Sequence, residues 1–127
     1  MNKSTLVKSG YFFLTLVFLA GSAAYTQDIA KVAPKNIKVL LENEEVRVID
    51  VHLKAGEKIP MHSHPPSVVY GVITGKSKTT LPDGQSRETE FKAGEAQWSS
   101  PVVHANEALT EIHVIVTELK EIKIAKQ

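Results

Sequence analysis

The sequence predicts an all-β domain, a sandwich or a barrel, and three observations support this fold class. Short runs rich in β-branched residues alternate with turns that contain Gly and Pro from about residue 36 onward. The segment 111–119 (EIHVIVTEL) alternates with period two, which puts Ile112, Val114 and Val116 on one face. No window longer than a turn or two carries the apolar stripe of a helix. The 127 residues show no internal repeat, so we expect one domain.

The predicted strands follow one another closely along the chain. The run 46–53 (VRVIDVHL) is rich in β-branched residues, and Pro60 biases its neighbour toward an extended conformation. The tripeptide Pro82-Asp83-Gly84 is a typical hairpin turn, and it joins the strands before and after it. The predicted set is 36–41, 46–53, 59–64, 67–74, 76–81, 86–91, 96–99, 102–104 and 111–119.

Residues 1 to about 27 read as a secretory signal peptide. Lys3 and Lys8 supply the positive charge, residues 11–20 (YFFLTLVFLA) form an apolar run of ten, and small residues follow at 21–24. A membrane-spanning helix needs about 20 apolar residues, so an uncleaved anchor is the weaker alternative. We expect cleavage between Ala24 and Gln27 and export, to the periplasm of a bacterium. The mature part, 28–127, is then one domain with its core at about 36–119.

Composition narrows the classes of function. Removing Lys3 and Lys8 with the leader leaves 13 basic residues against 14 acidic ones, so charge gives no reason to expect nucleic acid as a partner. We also expect no membrane contact after cleavage. There is no cysteine, which excludes disulfides, thiolate metal sites and a cysteine nucleophile. Any chemistry must come from histidines, carboxylates, hydroxyls or a bound cofactor.

Two of the five histidines are separated by a single residue. In an extended segment, side chains at positions i and i+2 point the same way, so His62 and His64 can converge on one metal ion. A third histidine from a distant strand would complete the set, and His104, which follows Pro101, is the candidate. An H-x-H pair alone is more often two ordinary histidines than a metal site.

The surrounding residues strengthen the metal hypothesis. From Gly56 the chain has five residues, then His62-Ser63-His64, then ten residues to Gly75. This spacing resembles the first motif of the cupin family, G-x5-H-x-H-x(3,4)-E-x6-G. Residues 94–104 resemble the second cupin motif, with one residue fewer between the glycine and His104. The resemblance spans about 36–119. It implies a double-stranded β-helix, or jelly roll, with His62, His64 and His104 as ligands of a metal inside the barrel.

One departure from the cupin pattern bears on function. The glutamate of the first motif falls at Val68, so the usual carboxylate ligand is missing. Three-histidine sites without a carboxylate are known among cupins in thiol dioxygenases and diketone-cleaving dioxygenases. The resemblance therefore implies a divalent transition metal (Fe, Zn, Mn or Ni) and a small-molecule ligand. An oxygenase, an isomerase or a lyase would fit, and so would a non-catalytic binding or sensing module with a vestigial site. A homodimer also fits, because many cupins pair.

Further residues are candidates for the pocket around the metal. Trp98 is either packing or a pocket wall that stacks a planar ligand. Alternation along the strands could turn Tyr70 and Gln97 inward. His52 shares a strand face with Val46, Val48 and Asp50 and is a candidate hydrogen-bond partner of a ligand residue. No inward-facing carboxylate is evident from the sequence, so no general base is named.

Overall fold

A computed structural model describes residues 27–121. The predicted leader lies outside these residues except for Gln27, and so does the segment 122–127. The described part contains one short helix and nine strands. Their bounds are α1 Ile29–Val32, β1 Ile37–Glu42, β2 Val46–Leu53, β3 Lys58–His64, β4 Ser67–Gly71, β5 Gly75–Thr80, β6 Ser86–Phe91, β7 Ala96–Ser99, β8 Val102–Ala108 and β9 Ile112–Leu119.

The strands form two antiparallel sheets that face each other. The first has the order β1-β2-β9-β4-β7 and the second the order β3-β8-β5-β6. Neighbours in each sheet are mostly distant in sequence, as in a double-stranded β-helix. The predicted all-β fold class is therefore confirmed, and so is the hairpin at residues 81–85, which joins β5 and β6.

Alternation along β2 and β9 builds much of the core. Ile112, Val114 and Val116 are buried, as the period-two pattern predicts. They pair with the inward residues of β2, and Ile49 and Val51 are among these. The buried apolar residues are Ile29, Ala33, Ile49, Val51, Leu53, Ile59, Ala108, Ile112, Val114 and Val116. This parity turns the other face of β2, which carries His52, away from the core.

Two strand ends differ from the prediction by more than one residue. β4 ends at Gly71 instead of residue 74, and at Gly71 the chain passes so close to the Lys92 carbonyl that a Cβ would collide with it. β8 continues to Ala108 instead of residue 104. Its extension contains Asn106 and Glu107, which favour strand poorly, but β3 and β5 pair with it on both sides.

The chain before β1 packs onto the second sheet. Asp28 caps α1, since its carboxylate accepts a 3.0 Å hydrogen bond from the Ala30 amide. Asp28 also forms an isolated bridge with Ser63 of β3, and Ile29 is buried. Within residues 27–121, no helix has the length and apolar character needed to cross a membrane.

Candidate metal centre

The structure brings His62, His64 and His104 together between the two sheets. His62 and His64 lie on one face of β3, and His62 is the register partner of His104 on β8. The ring nitrogens available as ligands all lie within 4.8 Å of one another. His62 is 1% exposed, and the other two are half-buried. The three imidazoles therefore converge on a single point.

Hydrogen bonds fix the tautomers of two of these rings. His62 Nδ1 lies 2.7 Å from the Pro60 carbonyl oxygen, and His64 Nδ1 lies 2.7 Å from Glu118 Oε1. A carbonyl and a carboxylate only accept hydrogen bonds, so both Nδ1 atoms carry the proton. In the neutral rings this leaves the two Nε2 atoms, 3.1 Å apart, with lone pairs that face each other. A cation shared by both nitrogens relieves that opposition, so the donor set fits a metal ion.

Burial keeps two of the imidazoles in the form that binds metals. Loss of water around the rings lowers the pKa of His62 to about 4 and that of His104 to about 3. The neighbouring imidazoles contribute to both of these lowered pKa values, and the charge of Arg87 contributes to that of His104. Both rings are therefore neutral at pH 7 and need not release a proton before they bind a cation.

Glu118 is a buried carboxylate that the sequence analysis missed. Its side chain is 6% exposed and accepts the hydrogen bond from His64. The sequence did indicate that Glu118 is buried, because position 118 continues the inward-facing alternation of Ile112, Val114 and Val116. Val68, where the three-residue spacing puts the cupin glutamate, does not line the cavity, and Val69, which the four-residue spacing would give, lines it with an apolar side chain. The carboxylate of this site thus contacts a histidine instead of taking the position of the missing ligand.

Arg47 extends the chain of contacts from Glu118 to the N-terminal segment. Its Nη1 lies 2.8 Å from Asp28 Oδ1 and 3.8 Å from Glu118 Oε2. Burial alone would raise the pKa of Asp28, but the hydrogen bond from Arg47 and its charge outweigh burial and lower it. His64, Glu118, Arg47 and Asp28 therefore form one continuous polar chain that starts at the histidine cluster.

The cluster opens into a cavity of about 480 Å³ with two unlike walls. The first sheet contributes an apolar wall that includes Val51, Val69 and Val114, and the second contributes polar side chains. On the polar wall, the Asn106 amide donates hydrogen bonds to Ser77 Oγ and Thr79 Oγ1, at 3.3 and 3.1 Å.

Two predicted pocket residues line this cavity and two do not. Gln97 and Trp98 are among the lining residues, with Trp98 61% exposed. The prediction that Tyr70 faces the pocket is wrong. Tyr70 is 44% exposed, because its neighbour Val69 takes the inward position on β4.

His52 is also a correction, because it lies on the outer face of the first sheet. Its ring stacks on that of His113 at a centroid distance of 4.7 Å, and its Nε2 bonds to Glu111 Oε1 at 2.7 Å. His113 bonds to Asp50 at 2.9 Å. Neither histidine lines the cavity or contacts the three clustered ones.

Comparison with known proteins gives structural neighbours only. No protein-family model and no curated protein sequence matches the chain. A solved cupin domain from Bordetella pertussis is 25% identical, with a TM-score of 0.61, over 67% of this chain and 92% of that one. A cupin superfamily protein from Desulfitobacterium hafniense is 10% identical, with a TM-score of 0.52, over 67% of this chain and 76% of that one.

A third structural neighbour is an RmlC-like cupin family protein with a double-stranded β-helix fold from Methanocaldococcus jannaschii. It is 20% identical, with a TM-score of 0.50, over 66% of this chain and 78% of that one. The strand order, the position of the three histidines and these neighbours lead to the same conclusion: the chain has the cupin fold.

Proposed function

We propose that this protein binds a divalent transition metal through His62, His64 and His104 and holds a small organic molecule beside it in the cavity. The observation that carries the proposal is the pair of Nε2 atoms 3.1 Å apart, each on a ring whose Nδ1 is already bonded to an acceptor. Because the Nδ1 atoms make the hydrogen bonds, the Nε2 atoms of both rings have lone pairs available to bind a metal ion.

The surrounding residues support this proposal by orienting the ligands and admitting a second molecule. The Pro60 carbonyl and the Glu118 carboxylate hold the first two rings in place. The cavity next to the rings has the volume that small-molecule sites require. A divalent ion held by neutral imidazoles keeps its positive charge and supplies Lewis acidity or, with iron, redox chemistry.

If the protein is an enzyme, we propose an oxygenase in preference to an isomerase or lyase. The cavity lining described by the structure contains no Asp, Glu, Lys or Tyr. Glu118 is engaged by His64 and Arg47, so it is poorly suited to remove a proton from a substrate. Chemistry would then depend on the metal. The same scarcity of acid and base groups favours the alternative, a binding or sensing module without catalysis.

Metal analysis of matched histidine variants tests the binding proposal. The purified protein is exposed to iron, zinc and manganese, dialysed, and analysed for metal, alongside His62→Ala and His104→Ala. His52→Ala and His113→Ala are the controls, because they remove histidines from the outer face. We expect about one ion per chain in the wild type and in both controls, and a large loss in the cluster variants. Equal metal content in all five proteins would refute the proposal.

Oxygen consumption separates the enzyme from the binding module. The iron-loaded protein is mixed with thiols, diketones and phenols, and His104→Ala treated in the same way is the control. Uptake of oxygen that depends on His104 would support the oxygenase. Absence of turnover with every compound, in protein that holds iron, would favour the binding module.

Export remains part of the proposal. We infer that the mature chain begins between residues 25 and 28, after removal of the leader. Mass spectrometry of the protein recovered from a periplasmic extract tests this, and a mass equal to that of the whole chain would contradict it.

A further inference from the structure

Arg87 occupies an inward position on the polar wall of the cavity. It pairs in register with Thr79 of β5, which is buried and points into the barrel. Paired residues of antiparallel strands lie on the same face, so Arg87 shares the inward face with Thr89 and Phe91, and all three line the cavity. β5 alone separates β6 from β8, which carries His104, so the two backbones are roughly 10 Å apart.

The guanidinium of Arg87 has no partner among residues 27–121. No carboxylate oxygen lies within ion-pair distance of it, and its side chain makes no hydrogen bond there. The other arginine of the chain, Arg47, is held by Asp28 and Glu118. The neighbouring charged residues of β5 and β6, such as Lys78 and Glu88, lie opposite each other in register on the outer face. Arg87 is exposed to solvent but also lines the cavity, so it presents there a positive charge that has no acidic partner among the described residues.

The cavity around Arg87 is suited to an anion with an apolar body. Its lining, within the described residues, contains no acidic side chain, and Arg87 is the one Lys or Arg among them. The wall opposite is formed by aliphatic residues of the first sheet, including Val51, Val69 and Val114. A metal ion on neutral histidines would add to the positive charge, so the potential in the cavity would favour an anion over a neutral or cationic ligand.

We propose that the cavity takes a small organic carboxylate, whose carboxyl group pairs with Arg87 and whose apolar part packs against the aliphatic wall. This inference rests on the proposed function in that it names the ligand class of the same cavity. An arginine and a carboxylate form two parallel charge-assisted hydrogen bonds, which gives both affinity and orientation. Arg87 is thus a specificity-determining residue.

Fluorescence of Trp98 provides the test, because it is the chain's one tryptophan and it lines the cavity. The protein is titrated with butyrate, hexanoate and octanoate and with the corresponding neutral amides, in both metal-free and zinc-loaded forms. We expect a saturable change in emission with at least one carboxylate, and affinity for that acid about tenfold higher than for its amide.

Three variants assign the effect to Arg87, and two of them, Arg87→Gln and Lys78→Gln, each remove one positive charge. Arg87→Gln should remove the preference for acid over amide, and Arg87→Lys should restore part of it. Lys78→Gln, on the outer face of the neighbouring strand, should retain the full preference. Circular dichroism checks that each variant is folded.

Three results would overturn the inference: equal affinity for acid and amide, a preference that persists in Arg87→Gln, or no saturable change with any compound. The metal content of Arg87→Gln distinguishes this failure from failure of the proposed function. The wild type could show no preference for the acid while Arg87→Gln binds metal normally. That result would refute the carboxylate inference and would leave the proposed metal site unaffected.

Discussion

Glu118 Oε1 and His64 Nδ1 are joined by a 2.7 Å hydrogen bond between strands β9 and β3, which belong to different sheets. The bond ties the tautomer of a histidine in the cluster to a carboxylate that is itself buried. Such a carboxylate fixes the orientation of the imidazole ring and so the direction of its Nε2 lone pair. The carboxylate near the cluster therefore comes from Glu118 and not from position 68, where the cupin motif has its glutamate.

Replacing Glu118 should weaken metal binding without abolishing it. Glu118→Gln keeps the size of the side chain but removes the charge that favours the Nδ1–H form of His64. We expect affinity for zinc to fall by about 10- to 100-fold, the usual effect of losing such a contact. Competition with a chromophoric chelator measures it. Glu111→Gln, which removes the carboxylate bonded to His52, is the control and should bind zinc as the wild type does.

Removing Arg47 should destabilise the fold. Arg47→Met keeps the aliphatic part of the side chain but leaves the carboxylate of Glu118 buried without a positive charge nearby, and that of Asp28 also loses its partner. We expect the free energy of unfolding to fall by about 3 kcal/mol, as measured by urea denaturation. Lys58→Met breaks an exposed ion pair with Glu107 and should cost less than about 1 kcal/mol. Equal losses in the two variants would contradict this account.

The metal-free protein should lose stability as the pH falls from about 6.5 toward 4. In this window the unfolded chain takes up protons at His62 and His104, whose ordinary pKa is 6.5. The folded chain does not, because burial lowers these pKa values to about 4 and 3. The contribution is fully present above pH 6.5, and its loss is on the order of a few kcal/mol.

A histidine variant separates the contribution of the buried histidines to this pH dependence from that of other titratable groups. Urea midpoints of the metal-free protein are measured from pH 7 to pH 4 for the wild type, His104→Asn and His52→Asn. The slope with pH should be smaller in His104→Asn and unchanged in His52→Asn, because the latter residue lies on the outer face. A slope that is the same in all three proteins would show that the buried histidines do not govern it.

Much of the fold could be predicted from local sequence patterns. Period-two alternation located β9, and Pro82-Asp83-Gly84 located the β5–β6 hairpin, because both features depend on neighbouring residues. The extension of β8 to Ala108 could not be predicted in this way, because its residues favour strand poorly and are held by β3 and β5.

The same distinction holds for the site. His62 and His64 were brought together by their spacing, and His104 was already the candidate third ligand from its place after Pro101, before the cupin resemblance supported it. Glu118 and Arg47 were missed because their pairing depends on a register between strands about 70 residues apart. His52 was placed on the wrong face because both parities of VRVIDVHL contain β-branched residues, and only the fold shows which one is buried.

Anomalous diffraction from crystals soaked in zinc tests the central claim most directly. We predict one strong peak about 2.0–2.1 Å from Nε2 of His62, Nε2 of His64 and a ring nitrogen of His104. No peak at the cluster, with strong peaks elsewhere such as beside the His52–His113 pair, would contradict it.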